Sequence, residues 1–560
     1  MDALICSINS KYIHSSLAPW YLSAAAGELC RHTHSVTVAE YTINSGDAEI
    51  TGGICSRRFD VLALSCYIWN ISLIKRILPQ LRRALPHAVI IAGGPEVSFN
   101  SEDVLIECPE LDFVIAHEGE RPFSLLLDAL EDGGDINIEG VYGRREDGTV
   151  YGLPSRAPER GDIPPSPYTD SYMKALNGRI CYIEGSRGCP FSCSFCLSGE
   201  DRSVRFFDIE RTESELLKLA ASGTKTVKFV DRTFNCNKKR SDRLIKFLTD
   251  SRKSGKVPDG VCFHLEVGAD LFDSESLELI ASAPPGLFQL EAGLQSFNAK
   301  SLEAVNRRTD MTKLTENLNA LISAGNVHVH IDLIAGLPYE DFESFGHSFD
   351  SAYALHPHML QLGFLKLLHG SRIRLESEKY GYKFSSEPPY EIISNKFISN
   401  SELMKLHSAE DALERMYNSG RFRRTAGYLT EAAIMRPFEL FMYTGSRING
   451  EKMALDEYAS RLFKLCSALR GVDGAKLRDV MAYDLISCIN TGRLPRCLHV
   501  YDSRIKQIKP IIAKKLGHSH FGLTPLVTDG VFVAADYSSR DPVSGQYKIL
   551  KFDAAVIDCT

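Results

Sequence analysis

The 560-residue chain lacks the features that mark proteins for a membrane, for secretion or for duplex nucleic acid. It has no run of 18 or more apolar residues, and its first residues form neither a positive n-region nor a cleavage site. Its fifteen cysteines are too few for a disulfide scaffold, and the odd number leaves at least one thiol unpaired. The pI near 6.2 gives no basic footprint for a duplex. We therefore expect a cytoplasmic protein in a reducing compartment, with neither a membrane nor duplex nucleic acid as partner.

The composition is that of an ordinary globular chain. Hydrophobic residues make up 44% of the sequence and charged residues 24%, with a formal net charge of -7. Disordered and collagen-like classes are excluded by these proportions. At roughly 100–200 residues per domain, the length predicts three or four domains, each with its own core.

Short apolar runs alternate with a helical pattern at the start of the chain. We therefore predict a doubly wound, Rossmann-like α/β domain over residues 1–133. Apolar residues recur at helical spacing from Ile71 to Leu85, which predicts an amphipathic helix packed on the sheet. Ligands of such sheets bind beyond the carboxyl ends of the strands, here the loops 9–17, 65–70 and 93–98. The five predicted strands are 3–6, 35–38, 61–64, 89–92 and 113–116.

A second series of strands and helices follows a polar, Gly/Pro-rich stretch. Residues 134–175 predict a small hairpin and a linker. Residues 176–375 contain six βα units, which predict a partial (β/α)6 barrel whose chemistry lies at the carboxyl ends of the strands. Thr212 and Glu215 have the spacing of a capping box at a helix start. The predicted barrel strands are 180–183, 227–230, 262–265, 288–290, 330–334 and 359–365.

The remaining part of the chain, residues 376–560, predicts a mainly helical domain that ends in a hairpin near residues 530–552. Arg421, Arg423 and Arg424 form a basic cluster in this region. One interpretation of the cluster is contact with an anionic substrate. The other, which the sequence favours, is a solvated face.

Three cysteines stand out because they fall within eight residues of one another. Cys189, Cys193 and Cys196 follow the first barrel strand with the spacing C-x3-C-x2-C. Three thiolates can hold three irons of a [4Fe-4S] cubane, and the fourth iron then remains open to a ligand. Structural zinc normally requires four ligands, so the triplet is a poor zinc site. Two alternatives are three thiols that meet by chance and a purely redox cluster completed by a remote cysteine such as Cys236.

The spacing, the aromatic residue Phe195 within it, and the βα series that follows resemble the radical S-adenosylmethionine (SAM) enzymes over about residues 176–375. The resemblance implies that SAM chelates the open iron and is cleaved reductively to a 5′-deoxyadenosyl radical. It also implies SAM contacts from Phe195, Asp231, Glu291 and Gln295. The second strand lacks the Gly-Gly-Glu seen in many relatives, and Asp231 has an alternative role as a strand-end carboxylate or helix cap.

The domain that precedes the barrel resembles the cobalamin-binding domain of B12-dependent radical SAM proteins. The resemblance implies cobalamin contacts from Ser65, Gly93, Gly94 and Glu96, at strand ends where small residues leave room for the nucleotide tail. The loop after the first strand lacks the Asp-x-His-x-x-Gly motif of better-known carriers, and His14 is out of frame. The lower axial ligand of cobalt is therefore unassigned. A flavodoxin-like domain kept only for packing is the alternative.

The combined resemblance implies a cobalamin-dependent radical SAM enzyme that carries a [4Fe-4S] cluster, SAM and cobalamin. The commonest reaction of such enzymes is methyl transfer to an unactivated centre of a small molecule or peptide, and rearrangements also occur. A reductant such as flavodoxin or ferredoxin is the implied protein partner. The C-terminal third resembles an uncharacterised region of one subgroup. A cobalamin-free radical SAM enzyme, a tRNA methylthiotransferase, and an iron–sulfur carrier or SAM-responsive binding module are the alternatives.

Overall fold

The alternating pattern of the N-terminal region folds as predicted into a parallel sheet with helices on both faces. The computed structural model describes residues 1–134, 136–145, 147–159, 161–199, 203–448 and 452–553. The N-terminal strands are Asp2–Asn9 (β1), Ser35–Thr42 (β2), Val61–Ser65 (β3), Val89–Gly93 (β4), Phe113–Ile115 (β5), Val141–Arg144 (β6) and Val150–Gly152 (β7). The helices are Ala18–Leu29 (α1), Asp47–Cys55 (α2), Ile71–Ala84 (α3), Pro95–Ser98 (α4), Ser101–Glu107 (α5) and Glu120–Asp132 (α6).

The strand order of this sheet is β2-β1-β3-β4-β5-β6-β7. Strands β1 to β5 are parallel, and the predicted hairpin β6–β7 extends the sheet in antiparallel pairing. Successive residues of β1 point to opposite faces: Leu4 and Cys6 join one buried cluster, and Ala3 and Ile5 join the other. The order reverses direction between β1 and β3, where a doubly wound sheet opens a crevice at its carboxyl edge.

All six predicted βα units of the central region are present. The elements are Asp170–Leu176 (α7), Cys181–Ile183 (β8), Ser186–Arg187 (β9), Arg205–Phe206 (β10), Ile209–Ala220 (α8), Thr226–Phe229 (β11), Lys238–Lys253 (α9), Cys262–Val267 (β12), Ser274–Ala281 (α10), Phe288–Gln295 (β13), Ala299–Ala304 (α11), Met311–Ala324 (α12), His328–Ala335 (β14), Phe342–Tyr353 (α13) and Met359–Phe364 (β15). Strand β11 pairs in parallel with β8 and β12, and β14 pairs in parallel with β13 and β15.

The capping-box prediction at Thr212 is wrong. Helix α8 begins one turn earlier, where the side chain of Asp208 accepts a hydrogen bond from the Arg211 backbone N–H. The Thr212 hydroxyl donates to the Asp208 carbonyl, and Glu215 forms an ion pair with Arg211 at 2.9 Å. An aspartate four residues upstream competes for the cap and wins because Asp is at least as good an N-cap as Thr.

The C-terminal region is mainly helical, as predicted, and its last two strands form the predicted hairpin. A further strand, Phe521–Leu526, pairs with the first strand of this hairpin, Val531–Arg540, and was not predicted because Gly522 and Pro525 are unfavourable in strands. The elements are Arg372–Leu375 (α14), Ser377–Tyr380 (α15), Lys383–Phe384 (β16), Ile392–Ser394 (β17), Asn400–Leu413 (α16), Arg423–Ala432 (α17), Pro437–Gly445 (α18), Leu455–Cys466 (α19), Gly474–Cys488 (α20), Ile505–Leu516 (α21), Phe521–Leu526 (β18), Val531–Arg540 (β19) and Tyr547–Asp553 (β20).

The chain divides into two compact units. The first contains residues 1–266 and 366–392, and the second contains residues 267–365 and 393–560. Within the described ranges, none of the helices combines the length and apolar character needed to cross a membrane. None of the fourteen cysteines in these ranges forms a disulfide.

Candidate cofactor site

A cavity of about 1790 Å³ opens at the carboxyl edge of the first sheet, within the first unit. Ser65 at the end of β3 and Gly93 and Gly94 at the end of β4 line it, where the sequence predicts a cobalamin site. The cavity also follows one face of the sheet, past the apolar side chains of Ala63 and Ile91. It therefore combines an open mouth at the strand ends with a crevice along the sheet.

Gly94 is required at its position by a close approach of two backbone segments. Its φ is +115° and its ψ is 175°, a combination that L side chains rarely adopt. A Cβ atom at Gly94 would lie 2.5 Å from the Cys66 carbonyl oxygen. Gly93 differs, because its Cβ would lie 3.5 Å from the nearest atom, the Ile115 carbonyl oxygen. The small residue at 94 thus sets the shape of the β3 and β4 loops that border the cavity.

Glu96 does not line this cavity. Its carboxylate is buried and accepts a 2.8 Å hydrogen bond from the Tyr390 hydroxyl. Burial raises the pKa of Glu96. The guanidinium of Arg374 stacks 5.1 Å from the centre of the Tyr390 ring. The geometry therefore favours a packing role for Glu96, at the contact between α4 and the segment 366–392.

His14 is also engaged away from the cavity. Its Nδ1 lies 2.7 Å from the Tyr182 hydroxyl on β8, and burial lowers its pKa. This contact agrees with the sequence analysis, which did not assign His14 as a cobalt ligand. Another cavity residue at the same sheet edge is Tyr67, whose ring stacks on Trp69 at a centroid distance of 4.5 Å.

The cysteine loop borders the same cavity. Cys189 and Cys193 are buried and Cys196 is half-buried, while Ser186, Gly188 and Leu197 around them line the cavity. Gly188 has a φ of +93°, and a Cβ there would lie 2.0 Å from the Ser203 carbonyl oxygen. The short β9–β10 pairing, which joins Arg187 to Arg205, holds the two ends of the loop together. Phe195 lies half-exposed inside the tight turn from Cys193 to Cys196.

Asp231 anchors the start of the cysteine loop. One of its carboxylate oxygens accepts from the Gly185 backbone N–H at 2.7 Å, and the other accepts from the Ser186 hydroxyl at 2.5 Å. Burial raises the pKa of Asp231. Since both oxygens already accept hydrogen bonds, its contacts are those of a residue that positions the loop. The predicted contact of Asp231 with SAM is not tested by this geometry.

Cys236, the alternative fourth ligand, lies half-buried in the turn that follows Asp231. Burial, Asp231 and Cys189 together raise the pKa of its thiol to about 11. The Cys189 thiol lies 3.6 Å from the Thr233 hydroxyl of the same turn. The turn that contains Cys236 therefore contacts the cysteine loop. Whether Cys236 is a fourth cluster ligand can be tested by mutation.

An arginine ties the loop after β5 to the entry of the cysteine loop. The Arg187 guanidinium lies 2.9 Å from Glu118, 2.6 Å from Glu120 and 3.0 Å from Glu184. Arg205 forms a further ion pair with Glu118. Burial raises the pKa of Glu184, whereas the charge of Arg187 lowers it, so the ionised form of Glu184 depends on the arginine. Sequence reasoning missed this pairing, because no local spacing links residue 118 to residue 187.

The second unit gathers polar side chains along the half-barrel strands β13 and β14. Ligand atoms of Glu291, His330 and Asp332 all lie within 4.8 Å of one another. Gln295 ends β13 at a register shift with a φ of +73°, and its buried Oε1 accepts no hydrogen bond from any described residue. Arg307, which sequence reasoning missed, donates from Nη2 to the Gly293 carbonyl at 2.7 Å. A guanidinium at this strand end is suited to a carboxylate ligand.

Glu340 fixes the loops that follow β13 and β14. Its Oε1 accepts from the Ser296 hydroxyl at 2.6 Å and from the Ser348 hydroxyl at 2.9 Å, and its side chain is fully buried. Burial raises the pKa of Glu340 to about 7. Glu340 thereby fixes Ser296, the residue that directly follows Gln295. No motif in the sequence identifies Glu340.

Besides Glu291, His330 and Asp332, one further group of side chains in the described ranges has the spacing to hold a metal ion. Cys30, His34 and Asp128 place ligand atoms within 4.8 Å of one another at the opposite end of the first sheet. Asp128 already accepts from the backbone N–H groups of Arg31 and His32 and lies 3.1 Å from His34 Nε2. These contacts give the cluster a structural role, because they join α6 to the segment that precedes β2.

Three family profiles match successive parts of the chain. Residues 4–127 match the B12 binding domain, residues 183–352 match the radical SAM superfamily, and residues 378–520 match a protein of unknown function (DUF4080). The chain therefore carries a B12-binding domain, a radical SAM domain and a DUF4080 region, as the sequence resemblance predicts.

Two named methyltransferases match about half of the chain. The chain is 28% identical over 317 residues to the 2-(S-pantetheinyl)-carbapenam-3-carboxylate methyltransferase of Streptantibioticus cattleyicolor. This match covers 54% of the chain and 45% of the relative. The chain is 29% identical over 300 residues to the cobalamin-dependent radical SAM methyltransferase TokK of Streptomyces tokunonensis, at 51% and 44% coverage. The matched region thus spans less than half the length of these relatives.

The fold is similar to that of a solved enzyme. The structure of the cobalamin-dependent S-adenosylmethionine radical enzyme OxsB with aqua-cobalamin and S-adenosylmethionine bound matches with a TM-score of 0.63. The match covers 86% of this chain and 78% of OxsB at 14% identity. At this identity the similarity establishes the fold alone.

Proposed function

We propose, from the combination of a B12-binding domain with a radical SAM domain, that the chain is a cobalamin-dependent radical SAM enzyme. Its proposed reaction is methyl transfer to an unactivated centre of a small molecule or peptide. The observation that carries the proposal is the cavity at the carboxyl edge of the first sheet. Ser65, Gly93 and Gly94 of the B12-binding domain line it together with Ser186 and Gly188 beside the cysteine loop.

The residues present fit the proposed groups. A tight backbone approach at Gly94 and a crevice along the sheet leave room for a nucleotide tail, as small residues at strand ends allow. Three thiols in one loop fit an iron–sulfur cluster, for which cysteine thiolates are the usual ligands. The buried Oε1 of Gln295 is suited to accept a hydrogen bond from a ribose hydroxyl. When bound, the cluster, SAM and cobalamin supply reductive C–S cleavage and methyl transfer.

In this proposal the protein positions these groups and limits access of water. Cys189, Cys193 and Cys196 hold the cluster, and Asp231 keeps the start of their loop in place. Phe195, Glu291 and Gln295 remain the predicted SAM contacts. The electron comes from a reductant such as flavodoxin or ferredoxin, in a reducing cytoplasm that suits fourteen free thiols.

The ligand assignment is tested by anaerobic reconstitution. Wild-type protein should hold about four irons and give a reduced-state EPR signal that changes when SAM is added. Replacing Cys189, Cys193 and Cys196 together by alanine should remove both the iron and the signal. The matched control is Cys236→Ala, which should retain them. Loss of iron in that control would instead support the redox-only cluster with Cys236 as its fourth ligand.

Two further measurements separate the alternatives. Purification with hydroxocobalamin should give a stoichiometric corrinoid spectrum, and absence of corrinoid would leave a cobalamin-free radical SAM enzyme. Reduction in the presence of SAM should release 5′-deoxyadenosine. Absence of this product would favour an electron carrier or a SAM-responsive binding module.

A further inference from the structure

A second, smaller pocket lies in the second unit, where the C-terminal region packs on the starts of β14 and β15. Its volume is about 140 Å³, room for four or five water molecules at roughly 30 Å³ each. It lies at the strand starts, whereas Gln295 and Glu340 lie at the strand ends of the same half-barrel. The pocket is lined by His328, His358, Asn418, Ser419, Gly420, Arg423, Cys488, Arg540, Ser544, Gly545 and Gln546.

Two guanidinium groups give this pocket its charge. Arg423 donates to the carbonyl oxygens of His358 and Tyr417, and Arg540 donates to the carbonyl of Cys488 at 3.3 Å. In the part of the chain that the structure describes, no carboxylate lies within 4 Å of either guanidinium, and none lines the pocket. The adjacent Asp541 accepts from the backbone N–H groups of Val543 and Ser544 in the hairpin turn, and its charge opposes the lowering of the His358 pKa. Besides these carbonyl oxygens, each guanidinium contacts a tyrosine ring: Arg423 lies 4.4 Å from the centre of the Tyr417 ring, and Arg540 lies 4.7 Å from the centre of the Tyr547 ring.

The other lining groups add neutral hydrogen-bond donors. His358 Nδ1 accepts from the Val329 backbone N–H at 3.1 Å, so the proton of the neutral ring is on Nε2. Burial, together with His328 and Arg423, lowers the pKa of His358 to about 4, which keeps the ring neutral near pH 7. The hydroxyls of Ser419 and Ser544 also belong to the lining. Charged and neutral donors around a small volume are the chemistry that recognises an oxyanion.

We propose that this pocket binds a tetrahedral oxyanion, namely phosphate or the phosphate group of a small molecule. The basic cluster of the sequence analysis is thereby divided. Arg423 belongs to the pocket, whereas Arg424 stacks 4.7 Å from the centre of the Tyr483 ring and Arg421 is exposed. Arg540 supplies the second charge from a strand more than a hundred residues away. The proposal does not depend on the radical chemistry proposed for the chain.

The test is equilibrium dialysis of the full chain against radiolabelled inorganic phosphate at constant ionic strength. Wild-type protein should bind one phosphate per chain saturably. Arg540→Glu should weaken binding at least tenfold, because it places a negative charge at the pocket. The matched control is Arg447→Glu, since Arg447 is exposed and stacks on a tyrosine, Tyr443 at 4.1 Å, as Arg540 is exposed and stacks on Tyr547. The control should bind phosphate as the wild type does.

A second variant separates binding from folding. Arg423→Lys retains the charge but loses the planar fork that donates to two carbonyls, so it should bind phosphate more weakly while circular dichroism shows a folded chain. Competition by glycerol phosphate that is stronger than inorganic phosphate would identify a phosphomonoester as the natural ligand, and weaker competition would identify free phosphate. Unchanged phosphate binding in Arg540→Glu, or no saturable binding to the wild type, would overturn the proposal.

Discussion

Replacing Gly94 by alanine tests whether the cavity edge depends on the contact between the β3 and β4 loops. The new Cβ would lie 2.5 Å from the Cys66 carbonyl oxygen and 3.1 Å from its backbone nitrogen, both of which are main-chain atoms. The two segments are also joined by a hydrogen bond from the Cys66 N–H to the Gly93 carbonyl at 2.7 Å. Neither neighbour can rotate away as a side chain would. The backbone itself must therefore shift.

The expected cost has two parts. A non-glycine residue at a sparsely populated φ costs about 1–3 kcal/mol, and forced displacement of packed atoms costs about 1–3 kcal/mol more. The two costs together amount to about 2–6 kcal/mol. At roughly 2–4 °C per kcal/mol for a unit of this size, the first unfolding transition should fall by at least about 4 °C.

The matched control is Gly93→Ala, whose Cβ would make only ordinary contacts at 3.5 Å or more. Alanine is favoured over glycine in a strand by about 0.5–1 kcal/mol, so this variant should be as stable as the wild type or slightly more stable. Differential scanning fluorimetry of the corrinoid-free protein measures both variants without ligand effects. Equal stability of the two alanine variants would refute the argument, because only position 94 has the close backbone approach.

Three further predictions follow from buried charge. Arg187→Met should destabilise the first unit by about 3–5 kcal/mol in urea denaturation, since the largely buried carboxylates of Glu120 and Glu184 lose their partner. Arg243→Met at the exposed surface should leave the transition unchanged. The Glu340 pKa of about 7 lies above its ordinary value of 4.5, so the contribution of Glu340 to the free energy of unfolding, about 3 kcal/mol, is complete below pH 4.5 and is lost as the pH rises through 7. Glu340→Gln should remove this pH dependence from a stability curve measured between pH 4 and pH 8. Asp231→Asn retains one hydrogen-bond acceptor for the cysteine loop, whereas Asp231→Ala retains none. The iron content, measured by ferrozine assay, should therefore decrease from the wild type to the Asn variant to the Ala variant. Equal iron in all three proteins would contradict the positioning role.

Much of the fold is predictable from the sequence because it depends on local periodicity. The five parallel strands of the first sheet and the six βα units of the central region all lie at their predicted places, since apolar runs of four to eight residues between amphipathic helices have few other solutions. The strand β18 was missed for a related reason. Its Gly522 and Pro525 are locally unfavourable, and only pairing with β19 at the sheet edge makes the strand form.

Sequence reasoning proposes site residues only where a motif is contiguous. Three thiols in eight residues and a Gly-Gly turn at a strand end can be recognised in one segment of sequence. The partners of Glu96 and Arg187 cannot, because Tyr390 is 294 residues from Glu96, and Glu118 is 69 residues from Arg187. Glu96 was accordingly expected at the cobalamin site, although its carboxylate is used by Tyr390.

The arginine network beside the cysteine loop serves geometry more than stability. Removal of Arg187 alone is costly because its carboxylates stay behind, but replacement of a whole buried ion-pair network by well-packed apolar residues is often neutral or stabilising, so the network is weak evidence for a net stabilising role. The ion pairs do fix direction, because the planar guanidinium contacts Glu118 and Glu120 with one edge and Glu184 with Nε. These carboxylates belong to the loop after β5 and to the entry of the cysteine loop, which border one cavity. A conservative Arg187→Lys change retains the charge but not the fork, so it should lower corrinoid and iron content together while the unfolding transition moves less than in Arg187→Met.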